Sequence, residues 1–131
     1  FKSTGDKLNL IRINPDKRDS TIEKDMKTLA NISDPRNTIY VFHCPPFKLF
    51  DETYQGNHVG SKAIRSFIEE NEPMLTLHGH IHEGVEMQGK FKEVIKGTVC
   101  ASAGNFFNRS GVALLVFDTR DVKGIRREVV I

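Results

Sequence analysis

Two short runs of almost wholly apolar residues, Ile39-Tyr40-Val41-Phe42 and Met74-Leu75-Thr76-Leu77, constrain this chain more than any other feature. The first is rich in β-formers, both are too short for helices, and an apolar run without alternation suits a strand covered on both faces of a layered sheet. Pro45-Pro46 stops the first run, because neither residue can donate a ladder hydrogen bond. Between the runs, Ser61 is placed to cap a helix reaching Asn71, with Ala63, Ile64, Phe67 and Ile68 on its apolar side and Pro73 closing it. Strand, crossover helix and strand imply a parallel pair of the right-handed kind, and ligands of such sheets gather beyond the carboxyl ends of the strands. Those ends are His43 and the stretch from His78 to His82.

The flanks fill in a layered α/β (α+β) fold with a mixed sheet. Leu8 to Ile13 reads as a strand ended by Asn14-Pro15. Ser20-Thr21-Ile22-Glu23 fits a capping box, with Ser20 as the cap, and Ile22, Met26, Leu29 and Ala30 follow as one apolar stripe until Ser33-Asp34-Pro35. Pro45 to Gly60 forms a loop well beyond the usual connection length, and loops of that length are often functional. After the histidines, Val85 to Met87 and Phe91 to Ile95 read as strands paired across Gln88-Gly89, followed by strands at Thr98 to Ser102, Val112 to Phe117 and Ile125 to Ile131.

The 131 residues are enough for one domain, 1–131, or for part of one. The chain begins with Phe1 rather than methionine, which suggests a start inside a longer product. Nineteen basic against seventeen acidic side chains give a charge of +2, spread along the chain, which argues against a polyanion-binding tail. No run of apolar residues approaches the roughly 20 needed to span a bilayer. Cys44 and Cys100 have no CxxC spacing, so a reducing, cytoplasmic compartment is expected and a cysteine metal site is not. Cys44, between His43 and Pro45, reads as a small packed thiol rather than a nucleophile.

All five histidines, His43, His58, His78, His80 and His82, fall in the middle third. In extended backbone His80 and His82 project to one side, Gly79 permits close approach or an unusual dihedral, and His43 arrives from the neighbouring strand end. Three imidazoles from two strand ends could form half of a metal site. Equally, one could be a hydrogen-bonded core residue and the others solvated. His78 reads as packing or support. His58 precedes the second helix, whose free N–H groups favour a phosphate that His58 could contact; an exposed loop histidine is the alternative.

His43-Cys44-Pro45-Pro46, Gly60-Ser61 and Gly79-His80-Ile81-His82 together resemble the C-terminal half of the calcineurin-like metallophosphoesterases. The stretches Asn57 to Ser61 and Gly79 to Glu83 are most similar to the prokaryotic Icc-like branch, and the resemblance runs from about Ser20 to Asn105. It implies an αββα sandwich carrying two divalent ions, manganese, iron or zinc, with His43 and His80 on the second metal and His82 on the first. Ala101 to Asn105 loosely matches the family's Asn-Pro-Gly-Ser-like segment. The family's Asp-x-His, Gly-Asp and Gly-Asn-His-Asp motifs do not precede His43, and Gly56-Asn57-His58 follows it and continues into Val59, so it does not map onto them. The chain is therefore expected to be a C-terminal portion, binding one metal at best when alone.

The implied activity is metal-dependent hydrolysis of a phosphomonoester or phosphodiester, with a small phosphorylated substrate. The implied partner is the rest of the same protein or a self-associated copy. A non-catalytic protein-binding scaffold of the same fold is the alternative. A nuclease of the DNA-repair branch fits less well, because a charge of +2 without a basic, aromatic stripe argues against nucleic acid.

Overall fold

The computed structural model describes residues 2–4, 7–9, 21–104 and 111–131. Its centre is a mixed four-stranded sheet of order β3-β4-β6-β5, comprising β3 (Ile39–Phe42), β4 (Leu75–His78), β5 (Lys92–Ile95) and β6 (Thr98–Ser102). The strands β3, β4 and β6 run parallel, with Phe42 opposite His78 and His78 opposite Ser102, and β5 is antiparallel to β6. Among the described residues, two antiparallel ribbons complete the strands: β1 (Lys2–Thr4) with β2 (Lys7–Asn9), and β7 (Val112–Asp118) with β8 (Asp121–Val130). Only the first residues of the strand expected over Leu8 to Ile13 are described, in β2; the remainder of that stretch lies outside the described residues.

Alternation along the central strands sorts the core into two layers. Tyr40, Phe42 and Cys100 face α1 (Ile22–Ile32) and α2 (Lys62–Asn71), joining Met26, Ile64, Phe67 and Ile68. Leu75, Val99 and Ala101 face the β7–β8 ribbon, where Ile125, Leu115 and Phe117 meet them. Near-complete burial of Ile64, Phe67 and Ile68 stabilises the α2 contact by about 1.5–3 kcal/mol per side chain. The Phe67 ring stands edge-on to Tyr40 and Phe42, at 5.0 and 6.0 Å between centroids.

Several expectations are corrected. The first helix is capped by Thr21, whose hydroxyl accepts from the Lys24 backbone, one residue later than the expected Ser20. Val41 is 76% exposed while Ile39, on the same face, packs against the second core layer, so that face of β3 is covered only in part; among the described residues β3 ends the sheet. Val85 to Met87 is not a strand but part of a short helix, α3 (Gly84–Gln88). Gly89, expected to turn a hairpin, instead ends that helix in left-handed backbone (φ 69°). The turn that pairs β5 with β6 is Lys96-Gly97, both at positive φ (47° and 94°), the arrangement that matches strand twist in tight hairpins. Among the described residues, no helix is long and apolar enough to cross a membrane.

Candidate functional site

The parallel register dictates where the histidines meet. Because Phe42 pairs with His78, the next residues on each strand, His43 and Gly79, leave the sheet at the same edge. His78 underpins this edge from inside the core. Its Nδ1 donates to the Cys44 carbonyl at 3.2 Å, which leaves Nε2 of the neutral ring to accept from the Thr76 hydroxyl at 2.8 Å. The ring stacks on Phe42 and lies near Phe50, and burial lowers its pKa to about 4. It is the supporting residue expected from the sequence, and it holds the turn that carries His43.

Beyond Gly79 the chain does not stay extended. The Ile81 N–H donates to the Gly79 carbonyl at 3.0 Å, the Gly84 N–H to the Ile81 carbonyl at 3.2 Å, and His80 adopts φ 72°. The unusual dihedral falls on His80, where it is strained, and not on Gly79, where it was anticipated. Held this way, the His80 ring turns to the neighbouring strand end. Its Nδ1 lies 3.1 Å from Nε2 of His43, with ring centroids 4.8 Å apart. Strained backbone of this kind persists where surrounding structure enforces it and is concentrated at functional positions.

His82 does not follow from extended parity. It sits in the turn leading to α3, partly buried, and lines with His78, His80, Ser102 and Ala113 a cleft of about 310 Å³. Among the described residues, no group of three or more His, Cys, Asp or Glu side chains is arranged to hold a metal ion. Of His43, His80 and His82, the first two are brought together as a pair, and His82 stands on the wall of the cleft that His80 shares. The Ala101–Asn105 match is described only to Gly104, at the end of β6.

The pair suits one divalent ion as two of its ligands. Two nitrogens each about 2.0–2.1 Å from a shared ion are separated by about 2.9 Å at a right angle and about 3.4 Å at the tetrahedral angle. The observed 3.1 Å falls between these values. It equally accommodates an N–H···N hydrogen bond when no ion is present. Burial raises the thiol pKa of Cys44, and that of Cys100 to about 11, so neither is a ready thiolate ligand or nucleophile.

His58 is more than a loop histidine. Its Nδ1 meets Oδ1 of Asp51 at 2.8 Å, while Oδ2 of Asp51 accepts the Lys48 and Gly60 backbone N–H groups at 2.9 and 3.0 Å. Asp51 is 1% exposed, and a Cβ at Gly60 would press on its Oδ2 and on the Pro46 carbonyl. Asp51 escaped the sequence reading because it lies seven residues before His58 in a loop without periodicity. The loop is brought back on itself by bridges between Glu52 and His58 and between Pro46 and Ser61.

No protein-family model matches the chain, and no curated protein does. A solved crystal structure of another protein is similar to it, with a TM-score of 0.53 and 22% identity over 79% of this chain and 36% of that one. The chain thus spans just over a third of that neighbour's length, and the likeness concerns the layered fold alone.

Proposed function

We propose that this chain carries part of the metal site of a calcineurin-like phosphoesterase, hydrolysing a small phosphomonoester or phosphodiester in the cytoplasm. The observation that carries the reading is the 3.1 Å approach of His80 Nδ1 to His43 Nε2, at adjacent carboxyl ends of parallel strands and with His80 in strained backbone. Those two imidazoles would hold one divalent ion, and His82 on the cleft wall would face its neighbour. Divalent ions at such a site, manganese, iron or zinc, supply Lewis acidity toward a phosphoryl oxygen and make a bound water acidic. The protein's own work is positional. His78 fixes the Cys44 carbonyl and thereby the His43 turn, and the Gly79–Gly84 turn aims His80. Neutral imidazoles bring no negative charge, so carboxylates from the rest of the same protein or from a second copy complete the site.

The protein-binding scaffold is the second reading, favoured by the apolar exposure of Val41, Val112 and Leu114. Calorimetric titration of the purified chain with manganese, beside His80→Ala, separates the two. Paired with it is a manganese-dependent assay of bis(4-nitrophenyl) phosphate hydrolysis by the gene product that contains the chain. Expected are manganese binding weakened about tenfold or more in the variant, and hydrolysis by the gene product. Equal binding by parent and variant, with no manganese-dependent hydrolysis, overturns the phosphoesterase reading and leaves the scaffold.

A further inference from the structure

The cleft that His80 and His82 line has a neighbour. A second cavity, of about 320 Å³, adjoins it, and His82 and Gly104 form part of the wall of both. The two lie beyond the carboxyl ends of the parallel strands β4 and β6, where ligands of such sheets gather. At that size the second cavity stands at the small end of the roughly 300–1,000 Å³ typical of small-molecule sites.

Its walls are anchored on both core layers. Val85 packs on the layer that faces the helices and Phe91 on the layer that faces the ribbon, so the cavity opens at the seam between them. The Phe91 carbonyl accepts the Ser102 N–H at 2.9 Å, and Nζ of Lys92 lies over the Phe91 ring, 5.9 Å from its centroid. Gly104, at φ 63°, sits where a Cβ would press on Cβ of Val85 at 2.9 Å, so only glycine lets these walls meet. From β8, Arg127 donates its Nε–H to the Ala103 carbonyl at 2.6 Å, which holds the guanidinium against the end of β6.

This lining suits a flat, uncharged group. Val85 and Phe91 supply apolar and aromatic surface, and a held guanidinium adds a plane for stacking and an N–H donor for an acceptor on the ring. A second phosphate is not favoured, because the charges balance: Lys90 is ion-paired with Glu93, and Arg127 shares the cavity with Glu86, which accepts from the Tyr54 hydroxyl at 3.0 Å. We propose that the cavity receives the uncharged, flat ring of a phosphate ester whose phosphoryl group lies in the adjoining cleft, with Phe91 and Arg127 setting the preference for it. The inference rests on the phosphoesterase reading for the phosphoryl group, while recognition of the ring needs no metal.

The test has two parts. In the first, the chain in EDTA is titrated with 4-nitrophenyl phosphate and, separately, with methyl phosphate, and followed by nuclear magnetic resonance. Expected with the aryl ester alone are saturable shifts of the Val85, Gly89 and Gly104 amides and of the Arg127 Nε–H, with affinity weakened about fivefold or more in Phe91→Leu and in Arg127→Met. In the second, the gene product that contains the chain is assayed with manganese on bis(4-nitrophenyl) phosphate and on methyl 4-nitrophenyl phosphate, which share a leaving group and differ in the other arm. Comparing the ratio of their kcat/KM values between variant and parent cancels intrinsic reactivity, and the ratio should fall about fivefold or more in both variants. Equal shifts with methyl phosphate, or aryl shifts indifferent to both substitutions, overturn the ring site and leave the phosphoesterase reading standing. Aryl-selective shifts without hydrolysis of either diester support the ring site and overturn that reading. Hydrolysis whose ratio moves in neither variant overturns the placement of the ester's ring in this cavity.

Discussion

His78 illustrates how one residue ties stability to the site. It is buried and neutral, donates to Cys44, accepts from Thr76, and has a pKa lowered to about 4 by desolvation. Between that value and the unfolded value near 6.5 the unfolded chain binds the extra proton, so the contribution to stability is complete above about pH 6.5 and is lost as pH falls toward 4. A shift of this size corresponds to about 3 kcal/mol. Urea unfolding of the chain in EDTA should show that loss on going from pH 7 to 4, and His78→Phe should flatten it. Equal pH slopes in parent and variant would show that His78 is not buried neutral. At this scale the sequence was legible where chemistry is local: a histidine just before the glycine, on an apolar strand, reads as support. Asp51 was not, because only the folded loop brings it to His58.

At the scale of elements, hydrophobic spacing and capping residues located α2 from Ser61 to Asn71 and the two parallel strands to within a residue. The miss was α3. Val85 and Met87 suit a strand by composition, yet tertiary contacts decide the stretch: Val85 packs under the core, and Gln88 accepts the Phe50 N–H at 2.5 Å. Gly84 lies so close to Phe50 that a Cβ would overlap the Phe50 carbonyl. α3 is therefore seated backbone to backbone on the long loop, an approach that no pattern of side chains encodes. Gly84→Ala should push the two apart and destabilise the chain by about 2 kcal/mol, read as a lower urea midpoint at unchanged slope. An unshifted midpoint would mean that the loop yields freely and that α3 does not hold it. The same kind of contact explains His80, whose strained backbone is set by the Gly79–Gly84 turn and not by the HxH spacing.

Across the whole molecule the layers are uneven. Among the described residues, two helices cover one face of the central sheet, while the β7–β8 ribbon covers β4 and β6 on the other and Val41 of the terminal strand β3 is exposed. The outer face of the ribbon is better adapted to water, because Leu114 is opposite Glu128 and Val116 opposite Arg126, and Arg126 and Glu128 are paired at 3.3 Å. A terminal strand with an exposed apolar residue is a template for pairing with another strand, and natural edges are often blunted by a lysine at such a position. The unbalanced place is therefore β3, as the two apolar runs foreshadowed when only two helices and a ribbon were available to cover them. Sedimentation velocity over a concentration series should show the purified chain self-associating, and Val41→Lys should shift it toward monomer while Leu114→Lys has the smaller effect. A chain that stays monomeric at high concentration would mean that β3 needs no partner. Association suppressed by Leu114→Lys and indifferent to Val41→Lys would move the contact from the sheet edge to the ribbon, and with it the surface on which the rest of the site would have to be built.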